Sequence, residues 1–423
     1  MTDPSDPVSP AGAAAPMHRL PALGLGGGFD LLAGTRVLDL TTSLAGPYAC
    51  LLLADMGADV IKLERPGSGD DARAWGPPFN DGESLWFQSV NRNKQSMTLD
   101  YTKPAGREVL HALVRQCDVV VTNQIRRTQE KLGTDYDSLA AVKPDLIFVS
   151  ISGFGLSGAR ADWPGYDLIA EGYSGVMDMT GEPENDPQKV GGPAADMLGG
   201  MDGAYAALAA LNDRQRTGRG HKIDISLVES MTRFMTCLLT SHLGTGEVPR
   251  RSGGRESVIA IYQVFHTADE PMTLGLGNDN LWQRFCDAVE RPDLAESARY
   301  KTNMDRRAVR QELVAEIQKI LIEKPRAHWL ELFSAKMVPA GPINRLDQVT
   351  ADPELIARGL FYRIDQQGAS PIPQVNTGIQ IDGAANAPRR PPPRLGADNE
   401  DILKNLLGHD DAAIARLRDD GVL

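Results

Sequence analysis

The sequence predicts an α/β protein: a parallel sheet with helices between its strands, followed by a smaller α+β domain. Three observations carry this. Short apolar runs of strand type alternate with helical stretches from residue 36 to 151. The first two runs, Arg36–Leu40 and Ala58–Glu64, enclose a helix that Gly57 stops, which is a βαβ unit and implies parallel pairing. The pattern then changes after the Gly/Arg stretch Gly244–Glu256, where two runs read as paired strands and helices follow without strands between them. A chain of 423 residues has room for two domains.

The elements follow in order. Thr41–Pro47 is the turn after the first strand, with Pro47 suited to a first helical turn, and Tyr48–Met56 is the helix. Glu64 ends the second strand in the position of a ribose-binding carboxylate, but the first turn lacks the glycine fingerprint of a dinucleotide site. Gly24–Gly28 precedes the first strand and fails the same test. Pro66–Asp81 is a loop, Ser96–Asp100 a strand, and Pro104–Gln116 a helix with Val109, Leu110, Leu113 and Val114 on one face. Asp118–Thr122 and Leu146–Ile151 are buried strands. The glycine-rich Ser152–Gly158 loop after the latter is either an anion-binding turn or a flexible one. Gly165-Tyr-Asp167 opens a helix through Ser174, and Lys222–Ser226 is a further strand. Leu227–Leu243 reads as one long helix. Val258–Phe265 and Met272–Leu276 read as paired strands, with helices near 279–290, 304–323 and 326–336, and Gln374–Ile381 as a late strand. Pro391–Gly396 leads to a last amphipathic helix.

A net charge of -12 argues against broad binding to nucleic acid or to an anionic membrane surface. Cys50, Cys117, Cys237 and Cys286 have no metal-ligand spacing and read as reduced thiols of a cytoplasmic protein. No apolar run reaches the roughly 18 residues of a membrane span. Residues 1–28, rich in Ala, Pro and Gly, are expected to be a disordered leader.

The stretch Gly191–Gly203 places one carboxylate, Asp196, between a loop and an alanine-rich helix. Residues alone leave two readings: a capping Asp, or an ionised nucleophile at the positive end of a helix. Gly199, Gly200 and Gly203 remove side chains over the first two turns, which calls for close approach of a backbone or a ligand. Glu184 and Asp167 are the back-up carboxylates. Glu184 reads as solvated and Asp167 as a helix-start residue.

Several stretches together resemble the family III CoA-transferases. They include Leu38-Asp-Leu-Thr41 with Leu44-Ala-Gly-Pro47, Gly57–Pro66, Gly69–Phe79 and Asn91-Arg-Asn-Lys94. Ser152-Gly-Phe-Gly155, Gly165-Tyr-Asp167, Ala195-Asp196, Thr217-Gly-Arg-Gly220 and Ala340–Asn344 complete the ordered set. The stretch Arg65–Phe79 with Asn91–Lys94 looks most like the branch that uses succinyl-CoA and dicarboxylates such as glutarate. The resemblance implies a Rossmann-like large domain from both chain ends (29–226 and 345–423), a small domain at 227–344, and an interlocked homodimer. It implies coenzyme A esters as substrates, with no tightly bound cofactor and no metal. It places CoA-binding positions on Leu44, Ala45, Arg65, Leu99, Asn123, Lys131 and Phe154, and the nucleophile on Asp196. Thr42 and Leu44 stand where the formyl-CoA branch has His and Gln, and Gln124 stands where it has an aromatic. Acyl-CoA racemases share the fold but place a His directly before the Asp matching Asp167. Here that residue is Tyr166, and no His lies between 112 and 220. A non-catalytic CoA binder is the other alternative, and it would not need Asp196. For a diacid, Arg73 is the candidate clamp, with Trp75 and Trp86 as apolar walls and Arg92 beyond. The competing reading pairs Arg73 with Asp70 or Asp71.

Overall fold

A computed structural model describes residues 15–256 and 258–423. Its central feature is a six-stranded, wholly parallel sheet. The strands are β1 (Arg36–Asp39), β2 (Asp59–Glu64), β3 (Lys94–Thr98), β4 (Val119–Thr122), β5 (Ile147–Ser152) and β6 (His221–Ser226). Their order is β3-β2-β1-β4-β5-β6. The direction of succession therefore reverses between β1 and β4, which opens a crevice at the carboxyl ends of those two strands. Val119, Val120 and Val121 are buried, as are all six residues of β5, because helices cover both faces.

The helices that matter for the site are α1 (Ala45–Asp55), α2 (Pro104–Gln116), α3 (Arg126–Leu132), α4 (Asp167–Ser174), α5 (Ala194–Thr217) and α6 (Leu227–Phe234). Helix α2 buries Val109, Leu110, Leu113 and Val114 on the sheet. The same core takes Ile402, Leu403, Ile414, Leu417 and Val422 from the far end of the chain. Helix α5 lies against α1. A Cβ on Gly200 would come 2.7 Å from the Ala45 carbonyl oxygen, and one on Gly203 would come 2.7 Å from Ile151 Cδ1. These glycines thus admit a neighbouring backbone and a core side chain.

The chain divides into two compact units. One holds the residues through Ser174 with Val190–Thr236 and Thr350–Leu423. The other holds Gly175–Lys189 and Cys237–Val349, so a loop from the first half of the chain joins the smaller unit. That unit carries a three-stranded antiparallel sheet, Tyr262–Phe265, Met272–Gly275 and Ala340–Pro342, over a core of Trp282, Phe285, Leu313, Ile317 and Phe333.

Several elements differ from expectation. The helix over 227–243 breaks at Met235 and resumes as Thr236–Thr245. The helix over 304–323 breaks at Val309, where the buried Arg306 turns inward to donate to the Tyr300 carbonyl and to Asp279. The late strand is instead a hairpin, Phe361–Gln366 with Ala369–Val375. Pro371 and Pro373 hide it in the sequence, and the strand that carries them tolerates them because it pairs with Phe361–Gln366 on one side only. The expected disordered leader is corrected in part. Ala22 bridges Arg363, and the Arg363 guanidinium donates to the His18 carbonyl at 3.0 Å. Residues 1–14 of that stretch lie outside the described residues.

Candidate active site

The loop Thr41–Leu44 leaves β1 at the reversal point, and Asn123 leaves β4 beside it. Asn123 clips the loop with both ends of its amide: Oδ1 accepts from Thr42 N at 3.1 Å and Nδ2 donates to the Thr42 carbonyl at 2.7 Å. A buried charge network holds the loop from beneath. Asp39 accepts from Thr41 N at 2.9 Å, and Lys62 Nζ donates to the Thr41 carbonyl at 2.8 Å. Asp70 accepts from Ser43 N at 2.9 Å and pairs with Lys62 at 2.8 Å. Lys94 donates to Asp39 at 3.0 Å and to the Pro47 carbonyl at 2.8 Å. Burial alone would push the Asp39 carboxyl up, but Lys62 and Lys94 outweigh it and hold it at about 2. These bonds keep Ser43 in the left-handed region at φ 71°, a conformation a serine adopts only when its surroundings impose it.

Above this loop lies a cleft of about 190 Å³, bordered by Thr42, Ser43, Leu44, Ala45, Gly165 and Asp196 among others. Asp196 is the third residue of α5, not its cap. The cap position holds Pro193, which has no side-chain acceptor, and Asp167 from the first turn of α4 takes over that duty. Its Oδ1 accepts from Ala195 N at 2.8 Å and from Asp196 N at 3.2 Å. The Asp196 carboxyl is left half-buried, with no hydrogen bond or ion pair among the described residues. Burial, and then the charge of Asp167, push it up to about 7. This corrects the expectation that the positive helix end holds Asp196 ionised: Asp167, not Asp196, accepts from the N–H groups there. An unpaired carboxylate titrating near neutrality is more basic than a free one, and it is available as a nucleophile once its proton leaves.

The family model described as CoA-transferase family III matches residues 32–399. The chain belongs to CoA-transferase family III. This transferase is 39% identical over 381 residues to the succinate-glutarate CoA-transferase of Agrobacterium fabrum, covering 89% of this chain and 95% of that one. It is 35% identical over 425 residues to the succinyl-CoA:glutarate CoA-transferase of Mus musculus, covering 97% and 98%. A crystal structure of a CaiB/BaiF family protein from Brucella suis superposes with a TM-score of 0.77 at 37% identity, covering 89% and 99%. The protein is therefore an enzyme, a CoA-transferase. Among the described residues no helix is long and apolar enough to cross a membrane.

The transferase brings Leu44, Ala45 and Asn123 to the cleft that holds Asp196. Arg65 borders an adjoining cleft of similar size, which shares Thr42 and Asn123 with the first. Its guanidinium is exposed and meets Asp71. Leu99 is in the sheet core and contributes no side chain to either cleft. Lys131 is exposed on α3, and Phe154 packs edge-to-face on Trp163 and Tyr173. Glu184 is exposed in the loop that joins the smaller unit.

Arg73 is corrected on both readings. It forms a two-pronged pair with Glu64, Nε and Nη2 each at 2.7 Å, and stacks on Phe87 at 3.7 Å. It is thus committed inside the protein, and so is Glu64, which also accepts from Ser96 at 2.6 Å and cannot serve a ribose. Arg92 is likewise buried against Asp55 at 2.6 Å. Trp75 and Trp86 pack on each other at 6.1 Å and do not border the Asp196 cleft.

Two features escaped the sequence reading. One is Asp167 as the cap of a helix that begins 27 residues later. The other is the network of Asp39, Lys62, Asp70 and Lys94. A signal for it existed: Lys62 sits between Ile61 and Leu63 in a strand too apolar to leave an unpaired lysine buried.

Proposed function

We propose that this transferase moves CoA from succinyl-CoA to a small dicarboxylate through an aspartyl-CoA thioester on Asp196. The observation that carries the reading is an unpaired, half-buried carboxylate in the cleft where the strand order reverses. The substrate class rests on the two relatives named for succinate or succinyl-CoA and glutarate.

In this reading the Asp196 carboxylate attacks the thioester carbonyl, the C–S bond breaks, and CoA leaves as thiolate from a mixed anhydride. The thiolate attacks the aspartyl carbonyl, releasing the donor acid and leaving CoA on Asp196. The acceptor carboxylate attacks that thioester and expels the thiolate again. The thiolate then attacks the acceptor's acyl carbon and frees Asp196. Each step exchanges one acyl bond for another, so no ATP is consumed. The tetrahedral oxyanions need nearby donors, and the first N–H groups of α1, which has no side-chain cap, suit that role. Arg65 exchanges its exposed partner Asp71 for a CoA phosphate, with Lys131 as a second cation. Met201, Tyr205 and Phe234 are exposed apolar side chains, which supports burial against a second copy in a homodimer.

The test is a trapping experiment. Enzyme incubated with succinyl-CoA and quenched with hydroxylamine should carry a hydroxamate on the peptide containing Asp196. Modification on Glu184 or Asp167 with Asp196 untouched overturns the assignment. Asp196→Ala should abolish turnover and still bind CoA.

A further inference from the structure

A diacid acceptor keeps one carboxylate ionised while the other end reacts. That free end needs a cation in a confined site. Among the described residues no Lys or Arg borders the Asp196 cleft. The buried cations are spent: Lys62 on Asp70 and Lys94 on Asp39 beneath the loop, and Arg73 on Glu64 and Arg92 on Asp55 elsewhere in the same unit. Arg126 is held by Asp162 at 2.6 Å. Arg65 lies in the adjoining cleft, past Thr42 and Asn123.

Arg160 differs from all of these. It is exposed, and its guanidinium makes no hydrogen bond or ion pair among the described residues. It is nevertheless held in place. Its Cζ lies 4.8 Å from the Tyr173 ring centre, 5.7 Å from Trp163 and 6.0 Å from Phe154. Those rings brace one another, with Phe154 edge-to-face on Tyr173 at 5.1 Å and on Trp163 at 5.9 Å. An arginine stacked on aromatic faces gives up rotamer freedom yet keeps its N–H edge for an anion. The platform adjoins the cleft wall in sequence, without itself bordering the cleft: Phe154 follows Gly153, Trp163 precedes Pro164, and Gly153 and Pro164 both border it. The two segments touch, since a Cβ on Gly153 would stand 2.8 Å from Gly165 Cα. Gly153 and Pro164 border the Asp196 cleft and not the Arg65 cleft, so the residues next to the platform are on the Asp196 side.

We propose that Arg160 is the specificity-determining cation that receives the distal carboxylate of the diacid. The proposal rests on the dicarboxylate reading above and adds the residue that enforces it.

The full-length enzyme and Arg160→Gln are assayed with succinyl-CoA as donor and two acceptors of equal length, glutarate and valerate. Donor concentration is varied, because succinyl-CoA also carries a distal carboxylate. For glutarate, kcat/KM should fall about 10- to 100-fold, the scale of one charge-assisted hydrogen bond. For valerate it should stay within about twofold, and Arg160→Lys should recover part of the glutarate rate. Equal losses for both acceptors overturn the role of Arg160. A loss that disappears when the donor is a dephospho-CoA thioester assigns Arg160 to the CoA phosphate and also overturns it. If the wild-type enzyme itself shows no preference for glutarate over valerate, the dicarboxylate reading is what fails.

Discussion

Replacing Asp196 with Asn should destroy activity and stabilise the protein, by an amount that grows with pH. The folded carboxyl is raised to about 7 from an ordinary value of 3.8. Below 3.8 both folded and unfolded states hold the proton, so the group contributes nothing. Between 3.8 and 7 the unfolded chain releases its proton first, and stability falls as pH rises. Above 7 the loss is complete. Asparagine keeps the shape and cannot titrate, so it escapes this loss. Ideal linkage gives a relative gain for Asp196→Asn of about 3 kcal/mol between pH 5 and pH 8. Asp196 is half-buried, and solvent screening reduces the expected gain to about 1–3 kcal/mol. Calorimetric unfolding of both proteins at pH 5, 6.5 and 8, at one fixed protein concentration, measures it. The absolute difference at one pH also contains the change of amide for acid, so its pH dependence is the quantity to read. A difference that does not change with pH, or that turns against the Asn variant as pH rises, refutes the argument. Asp196 would then titrate as an ordinary surface acid.

Other consequences are as direct. The rate of enzyme acylation should rise with pH through an apparent pKa near 7, and Asp167→Asn should move that limb to lower pH, because the amide oxygen still accepts from Ala195 N while the neighbouring negative charge is gone; stopped-flow assays from pH 5 to 9 check it. Arg65→Ala should raise KM for the CoA ester several-fold with little change in kcat, as for a phosphate contact made equally in ground and transition states. Lys94→Met should cost about 3–5 kcal/mol in unfolding measurements, because it leaves Asp39 buried with one lysine partner fewer. Arg73→Lys should lose stability through its two-pronged bond to Glu64 and should change glutarate and valerate rates alike.

Much of the large sheet was legible because its strands are short, apolar and separated by helices whose faces repeat with the helical period. Val119–Val121 and the Val109/Leu110/Leu113/Val114 face of α2 are examples. The hairpin at Phe361–Val375 was not legible, because prolines in strands argue against pairing unless the free edge is known. Nor was the chemistry of the charged residues. Arg73 is followed by Trp75 and preceded by two acids, so sequence proximity suggested Asp70 or Asp71 as partners. Its actual partner, Glu64, belongs to the strand before the loop. Asp196 could be located from its setting between a Pro/Gly loop and an alanine-rich helix. Its protonation could not, because that depends first on how deeply the fold buries the carboxyl and then on Asp167, which is a neighbour only in space.

The core beneath the sheet takes its last pieces from Ile414, Leu417 and Val422, and Asp100 N donates to the Val422 carbonyl at 2.7 Å. This has a consequence during synthesis. By the time β6 has left the ribosome, all six strands of the sheet exist, but the patch that Leu417 and Val422 will cover stays open. At ordinary elongation rates the remaining stretch of about 200 residues takes roughly 10–40 s to make. Over that interval the nascent chain carries an apolar surface with nothing yet to cover it, which is a natural landing place for a chaperone. Stalling or truncation short of Leu417 leaves that core without the side chains that cover it.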